Sequence, residues 1–79
     1  MEASLKIAIG MDYETIGAVE ILDGELVYSG NEKAVRPIVE FYAARHEGAL
    51  HQLLESLPHK LNGRTWARMI TDQGLNSGS

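Results

Sequence analysis

The 79-residue sequence contains no cysteine. A disulfide framework and thiolate metal ligands are therefore excluded, although domains of this size often depend on one or the other. Long hydrophobic runs are lacking as well, since no apolar stretch approaches the roughly 20 residues that span a bilayer. We therefore expect no membrane segment, and the cysteine-free composition favours a reducing, cytoplasmic setting.

Positive charge is scarce in the first part of the chain. Residues 1–32 contain Lys6 as their one basic residue, against the acidic residues Glu2, Asp12, Glu14, Glu20, Asp23, Glu25 and Glu32. The rest of the chain is weakly basic, and the net charge is −4. Because an acidic surface repels phosphate groups, we expect no direct nucleic-acid binding through this part, and we expect a basic partner.

Motifs that carry catalysis or cofactor binding are also lacking. The glycines do not form a phosphate-binding loop, and no nucleophile elbow is present. His46, His51 and His59 are not spaced to bring two rings onto one helix face, so a metal site is not favoured. We therefore predict no catalytic residue, no cofactor and no metal.

What is present is typical of a globular domain, with 44% hydrophobic and 23% charged residues. We predict a single α/β domain over residues 1–75 and a disordered tail over residues 76–79. Alternating apolar residues from Leu5 to Met11 predict a first strand. A second strand runs from about Thr15 to Leu22 and a third from Glu25 to Ser29, joined by Asp23-Gly24, which is typical of a type I′ hairpin turn.

A two-residue turn also fixes the pairing of these strands, with Leu22 opposite Glu25 and Val19 opposite Tyr28. One face is then apolar and suited to the core: Val19, Ile21, Leu26 and Tyr28. The other face carries Glu20, Leu22, Glu25 and Val27. By parity Asp12 and Glu14 belong to this second face, unless a bulge near Gly17 intervenes.

Apolar periodicity predicts a long helix from Pro37 that stops before Pro58, with Gly48 as a point where it can divide. Residues 64–71 fit a strand or a short helix, and we prefer a strand. A helix between two strands favours a right-handed crossover, which would place the last strand parallel to the first. The predicted fold class is α+β: a three-stranded antiparallel meander, a long helix and a fourth strand, in sheet order 3-2-1-4, with one helical layer on one face.

The segments Ile9 to Asp12 and Asp23 to Gly30 resemble the opening hairpins of ribonuclease H-like domains. That resemblance implies a carboxylate at the end of the first strand, Asp12, a helical acid, Glu40 or Glu47, and a Thr71-Asp72 pair after the fourth strand. Such a cluster would hold two divalent ions for phosphodiester hydrolysis. The later elements of that family and their further carboxylate are missing, so we interpret Asp12 and Asp72 as polar residues at strand ends.

Arg64, Trp66 and Arg68 would share one face of the last strand, an arrangement that can stack bases and neutralise phosphates. We prefer the interpretation that the indole packs on the helix between two arginines.

The chain as a whole, small, acidic, cysteine-free and without catalytic motifs, resembles the small inhibitors encoded by phages and mobile elements, in particular anti-CRISPR proteins of the type I class. The resemblance implies a non-enzymatic inhibitor in the host bacterial cytoplasm, acting as a monomer or weak dimer. Its partner would be the CRISPR surveillance complex (Cascade), whose basic DNA-binding channel would attract an acidic surface. The predicted partner-binding residues are Asp12, Glu14, Glu20, Asp23 and Glu25. A truncated ribonuclease H-like nuclease and a small oligomeric accessory protein remain as alternatives.

Overall fold

The computed structural model of the protein describes residues 5–70. Its elements are, in chain order, β1 (Lys6–Met11), β2 (Glu14–Leu22), β3 (Glu25–Gly30), α1 (Glu32–Ala43), α2 (Leu50–Lys60) and β4 (Thr65–Ile70). The strands form one antiparallel sheet in the order β3-β2-β1-β4, with two helices packed on it, so the predicted α+β class and sheet order are confirmed. Thr71-Asp72 and the predicted tail over residues 76–79 lie outside the described residues.

The hairpin between β2 and β3 has the predicted turn and register. Asp23 and Gly24 have φ angles of 53° and 77°, both positive, as a type I′ turn requires. Leu22 pairs with Glu25, and Val19 pairs with Tyr28. The Asp-Gly dipeptide therefore determines which side chains of this hairpin face the core.

The bulge that was a condition of the parity argument is present in β2. Ile9 pairs with Gly17, but the next residue of β1, Gly10, pairs with Thr15, so Ile16 is an extra residue in β2. The residues of β2 that precede the bulge therefore point to the face opposite to the one that strict alternation predicts. Glu14 pairs with Met11 and consequently lies on the helix side of the sheet.

The helical region divides into two helices at a loop that contains Gly48, the predicted point of division, but both predicted ends of the helical region are wrong. The first helix does not begin at Pro37, since Asn31 caps it and accepts a hydrogen bond from the Ala34 amide at 3.3 Å. The second helix does not stop before Pro58 but includes it. Neither proline is a helix boundary here, because a proline inside a helix removes one backbone hydrogen bond and the packing of the helix outweighs that loss.

The predicted parallel arrangement of the last strand is wrong. The strand itself forms, but Met11 pairs with Thr65 and Lys6 with Ile70, so β4 runs antiparallel to β1. A single crossover helix would return the chain in the parallel direction. Because two helices precede β4, the chain reverses direction once more and enters β4 beside the end of β1, where Thr65 pairs with Met11.

The core lies between the sheet and the two helices. Its buried residues come from β1, β2, both helices and the segment after α2: Ile7, Ile9, Val19, Val35, Val39, Leu53, Leu54, Leu57 and Leu61. Helix α1 packs chiefly on β2 and β3, and α2 packs chiefly on β4. No helix among residues 5–70 is long and apolar enough to cross a membrane.

Candidate functional site: the open sheet face and its acidic hairpin

One face of the sheet carries no helix, and we call it the open face. The strand register assigns to it Lys6, Ala8, Gly10, Thr15, Ala18, Glu20, Leu22, Glu25, Val27, Ser29, Trp66, Arg68 and Ile70. Its centre has the small residues Gly10, Ala8 and Ala18, while its two ends differ in chemistry. A sheet face without a covering layer is available to a partner, so each end of the open face is a candidate site.

The end at the β2–β3 turn is acidic and partly apolar. We call it the hairpin patch and define it as Glu20, Leu22, Asp23, Glu25 and Val27. Leu22 is 45% exposed and Val27 is 38% exposed. Glu20 and Glu25 are diagonal neighbours across the strand pair, and Asp23 occupies the turn beside them. None of the three carboxylates forms an ion pair with another described residue, so their charge is available to a partner.

The other two predicted binding residues lie elsewhere. Asp12 is in the β1–β2 turn, at the far end of β2, about 26 Å from the β2–β3 turn at about 3.3 Å per residue. Its two carboxylate oxygens accept hydrogen bonds from Nε and Nη2 of Arg64, both at 3.1 Å. Glu14 is exposed on the helix side because of the bulge in β2. The five acidic residues therefore do not form one surface, and only Glu20, Asp23 and Glu25 remain together.

The prediction that Trp66 packs on the helices is wrong. Trp66 pairs with Gly10 on the open face, and its indole covers that glycine closely enough that a Cβ there would overlap the ring. Its Nε1 donates to the backbone oxygen of Asp12 at 2.8 Å, and the Arg68 guanidinium carbon lies 5.7 Å from the ring centroid. The sequence pattern predicted that Trp66 lies on a strand. Its face follows only from the pairing with Gly10, because the absence of a side chain there lets the indole pack on the open face.

Residues 5–70 do not form the carboxylate cluster that a ribonuclease H-like site requires. The Asp12 carboxylate is held by Arg64, and Glu40 accepts from Arg36 at 3.2 Å. Because β4 is antiparallel, it ends beside Lys6, at the opposite end of β1 from Asp12. Within residues 5–70, no three potential metal-ligating His, Asp or Glu side chains lie close together.

His46 and His51 have local partners. The imidazole of His46 lies 3.0 Å from the Ala49 oxygen, and that of His51 lies 3.0 Å from a Glu55 carboxylate oxygen on the same helix. Elsewhere, burial beneath α1 raises the pKa of Tyr28, and the nearby Glu40 carboxylate adds to this while the Arg36 guanidinium opposes it. These contacts are structural and do not converge on a reaction centre.

A further feature, a cleft beside the half-exposed Phe41, was not predicted from the sequence. Phe41 lies outside the buried positions of α1, which are Val35 and Val39. Comparisons with protein-family models, with curated proteins and with solved structures find no match to this chain.

Proposed function

We propose that this protein is a non-enzymatic inhibitor of the anti-CRISPR type. In the bacterial cytoplasm it would bind a basic subunit surface of a type I surveillance complex, Cascade, and compete there with target DNA. The observation that supports this proposal is the hairpin patch, in which three carboxylates that form no ion pair within residues 5–70 accompany the exposed residues Leu22 and Val27.

The chemistry of the hairpin patch suits a basic protein surface. Carboxylates opposite lysine and arginine side chains speed association and set orientation, while a desolvated apolar centre slows dissociation. Leu22 and Val27 supply such a centre, with Glu20 and Glu25 on the same face. A DNA-binding channel is lined by the cations that this arrangement would complement.

The hairpin is also held in one conformation before binding. Its two-residue turn and its six paired positions along β2 and β3 leave little backbone freedom to lose on association. A protein monomer with one such patch is sufficient for competition with DNA, and the proposal requires no dimer.

The experiment compares the wild type with a triple variant in which the hairpin patch keeps its shape but loses its charge: Glu20→Gln, Asp23→Asn and Glu25→Gln. Asparagine is well tolerated at the positive φ of residue 23, so the turn should persist. Association with purified type I Cascade should slow by about tenfold at low salt, because each exposed pair contributes only ~0.2–1 kcal/mol but the summed field steers the encounter. Association rates against ionic strength are measured, with competition by target DNA.

A matched control removes the same charge from other places, by Glu14→Gln, Glu47→Gln and Glu55→Gln. This control should retain most of the association rate. Equal slowing by both triple variants would mean that net charge alone drives binding, and the assignment of the hairpin patch would be wrong. Absence of any interaction between the wild type and Cascade would refute the proposed target.

A further inference from the structure

A cleft of about 430 Å³ opens at the end of the sheet where β4 begins, opposite the hairpin patch. It lies between α1 and the segment that joins α2 to β4. Its apolar lining comes from Ile38, Phe41, Tyr42 and Leu61, and its polar lining includes Lys60 and Arg64. A volume of this size accommodates one large side chain together with the backbone on either side of it.

Phe41 is exposed and yet held in place. Phe41 as a residue is 52% exposed, and its ring meets that of Tyr42 edge-on with centroids 5.1 Å apart. The Arg45 guanidinium carbon lies 3.9 Å from the Phe41 centroid, and its Nη1 donates to the Phe41 backbone oxygen at 2.8 Å. The ring therefore contacts Tyr42 and Arg45 without a bound partner, although the core of α1 does not require it.

The charged side chains that border the cleft are basic, whereas the whole chain carries a net negative charge. The whole chain has 7 lysines and arginines and a net charge of −4, yet Arg45, Lys60 and Arg64 border this one cleft. None of the lining residues in the described part of the chain is acidic. Arg64 is paired with Asp12, whereas Lys60 forms no ion pair with a described residue. Charge complementarity therefore favours an anionic occupant.

We propose that the cleft binds a short acidic peptide segment of a partner protein, anchored by one aromatic or branched apolar side chain. The anchor would pack against Phe41 and Leu61, while carboxylates next to it in the peptide would face Lys60 and Arg45. Nucleic acid fits less well, because it needs a track of cations along its backbone and because the acidic hairpin repels a long polyanion. The proposal is independent of the Cascade assignment, since it concerns the opposite end of the molecule.

The test begins with a random heptapeptide library displayed on phage and selected on the immobilised protein. Selection should enrich peptides that combine aspartate or glutamate with one large apolar residue. The best synthetic peptide is then titrated into ¹⁵N-labelled protein, and the amide shifts should be largest at Phe41 and along residues 60–65. Failure to enrich any peptide, enrichment of basic peptides, or shifts located on the hairpin patch would each overturn the proposal.

Two exposed positions test the contacts separately. Phe41→Ala should weaken peptide binding by about tenfold or more, as expected for a central apolar contact. Lys60→Glu should weaken it similarly, whereas Lys33→Glu, the same charge change at an exposed position of α1 away from the lining, should leave affinity within about twofold. Equal losses for the two lysine variants would refute a specific site.

A second copy of the chain is an alternative occupant, because its own Leu22 is flanked by carboxylates. Concentration-dependent broadening at Phe41 and Leu22 in the absence of peptide would identify that self-association and overturn the proposal of a separate partner. The hairpin triple variant should leave peptide affinity unchanged, so failure of one proposal does not imply failure of the other.

Discussion

At the scale of single residues, the contact between Gly10 and Trp66 organises the open face. A glycine in a central strand costs backbone entropy and contributes no side chain to packing. At Gly10 the missing Cβ leaves the space in which the Trp66 indole packs against the backbone. The indole Nε1 in turn donates a hydrogen bond to the backbone oxygen of Asp12. The turn between β1 and β2 is thereby connected to β4 by the indole as well as by the Arg64–Asp12 pair.

We predict that Gly10→Ala lowers the free energy of unfolding by about 1–3 kcal/mol, because the added methyl group displaces the indole from a closely packed position. Backbone strain does not contribute, since Gly10 does not have a positive φ. Urea denaturation measures the loss. The emission of the single tryptophan should also shift to longer wavelength as the ring becomes more exposed to water.

The matched comparison is a double-mutant cycle of Gly10→Ala with Trp66→Ala. If the two residues act through their contact, the double variant should be clearly more stable than the sum of the single losses implies. Additive losses would show that Gly10 is needed for another reason.

At the scale of elements, α1 forms in spite of a proline near its middle. Pro37 cannot donate to the carbonyl of Lys33, which lies at an exposed position. The helix is stabilised instead by Asn31 at its start and by burial of Val35 and Val39. The Asn31 cap therefore sets where α1 begins, and burial of Val35 and Val39 lets the helix continue through Pro37.

We predict that Pro37→Ala raises the free energy of unfolding by about 1–3 kcal/mol, because the missing helical hydrogen bond is restored and this outweighs the added freedom of the unfolded chain. Asn31→Ala should lower it by about 1 kcal/mol, because the Ala34 amide loses its side-chain acceptor. Thermal and urea unfolding measure both changes. A destabilised Pro37→Ala variant would mean that the proline fixes the path of α1 over the sheet.

The elements also show what the sequence could predict. The β2–β3 register was predictable because Asp23-Gly24 allows one tight turn geometry, and side-chain faces follow from the register. The direction of β4 was not predictable, because it depends on whether one or two helices precede it, and that depends on whether the chain divides at the loop containing Gly48. The position of Glu14 was conditional on a bulge, and periodicity alone does not locate a bulge.

At the scale of the whole molecule, charge is distributed unevenly between two ends. The hairpin patch at one end carries carboxylates that form no ion pair in the described part of the chain, and the cleft beside Phe41 at the other end is bordered by cations. Like charges held close together destabilise the folded state through repulsion, and the single cation opposite them, Lys6 beside Glu20, offsets only one of the three negative charges. Retaining them is typical of a surface used for binding, where stability is sacrificed for function.

We therefore predict that the hairpin triple variant is more stable than the wild type by a few tenths to about 1 kcal/mol at low salt. The gain should disappear near 1 M salt, where the screening length falls to about 3 Å. Urea unfolding at both salt concentrations measures it. The control variant altered at Glu14, Glu47 and Glu55 should show no such gain, since these residues are not clustered and Glu55 loses its contact with His51.

The antiparallel pairing of β4 with β1 has a consequence for the order in which the chain assembles. Both hairpins of the meander close over short loops, but the pairing of Lys6 with Ile70 joins residues separated by almost the whole described chain. Closing so long a loop costs more entropy than closing a hairpin, and contacts of large sequence separation slow folding. We expect the meander to form early and β4 to dock late, after both helices have covered the core. Trp66 lies on that last strand, so the open face acquires its aromatic surface only when the sheet is complete.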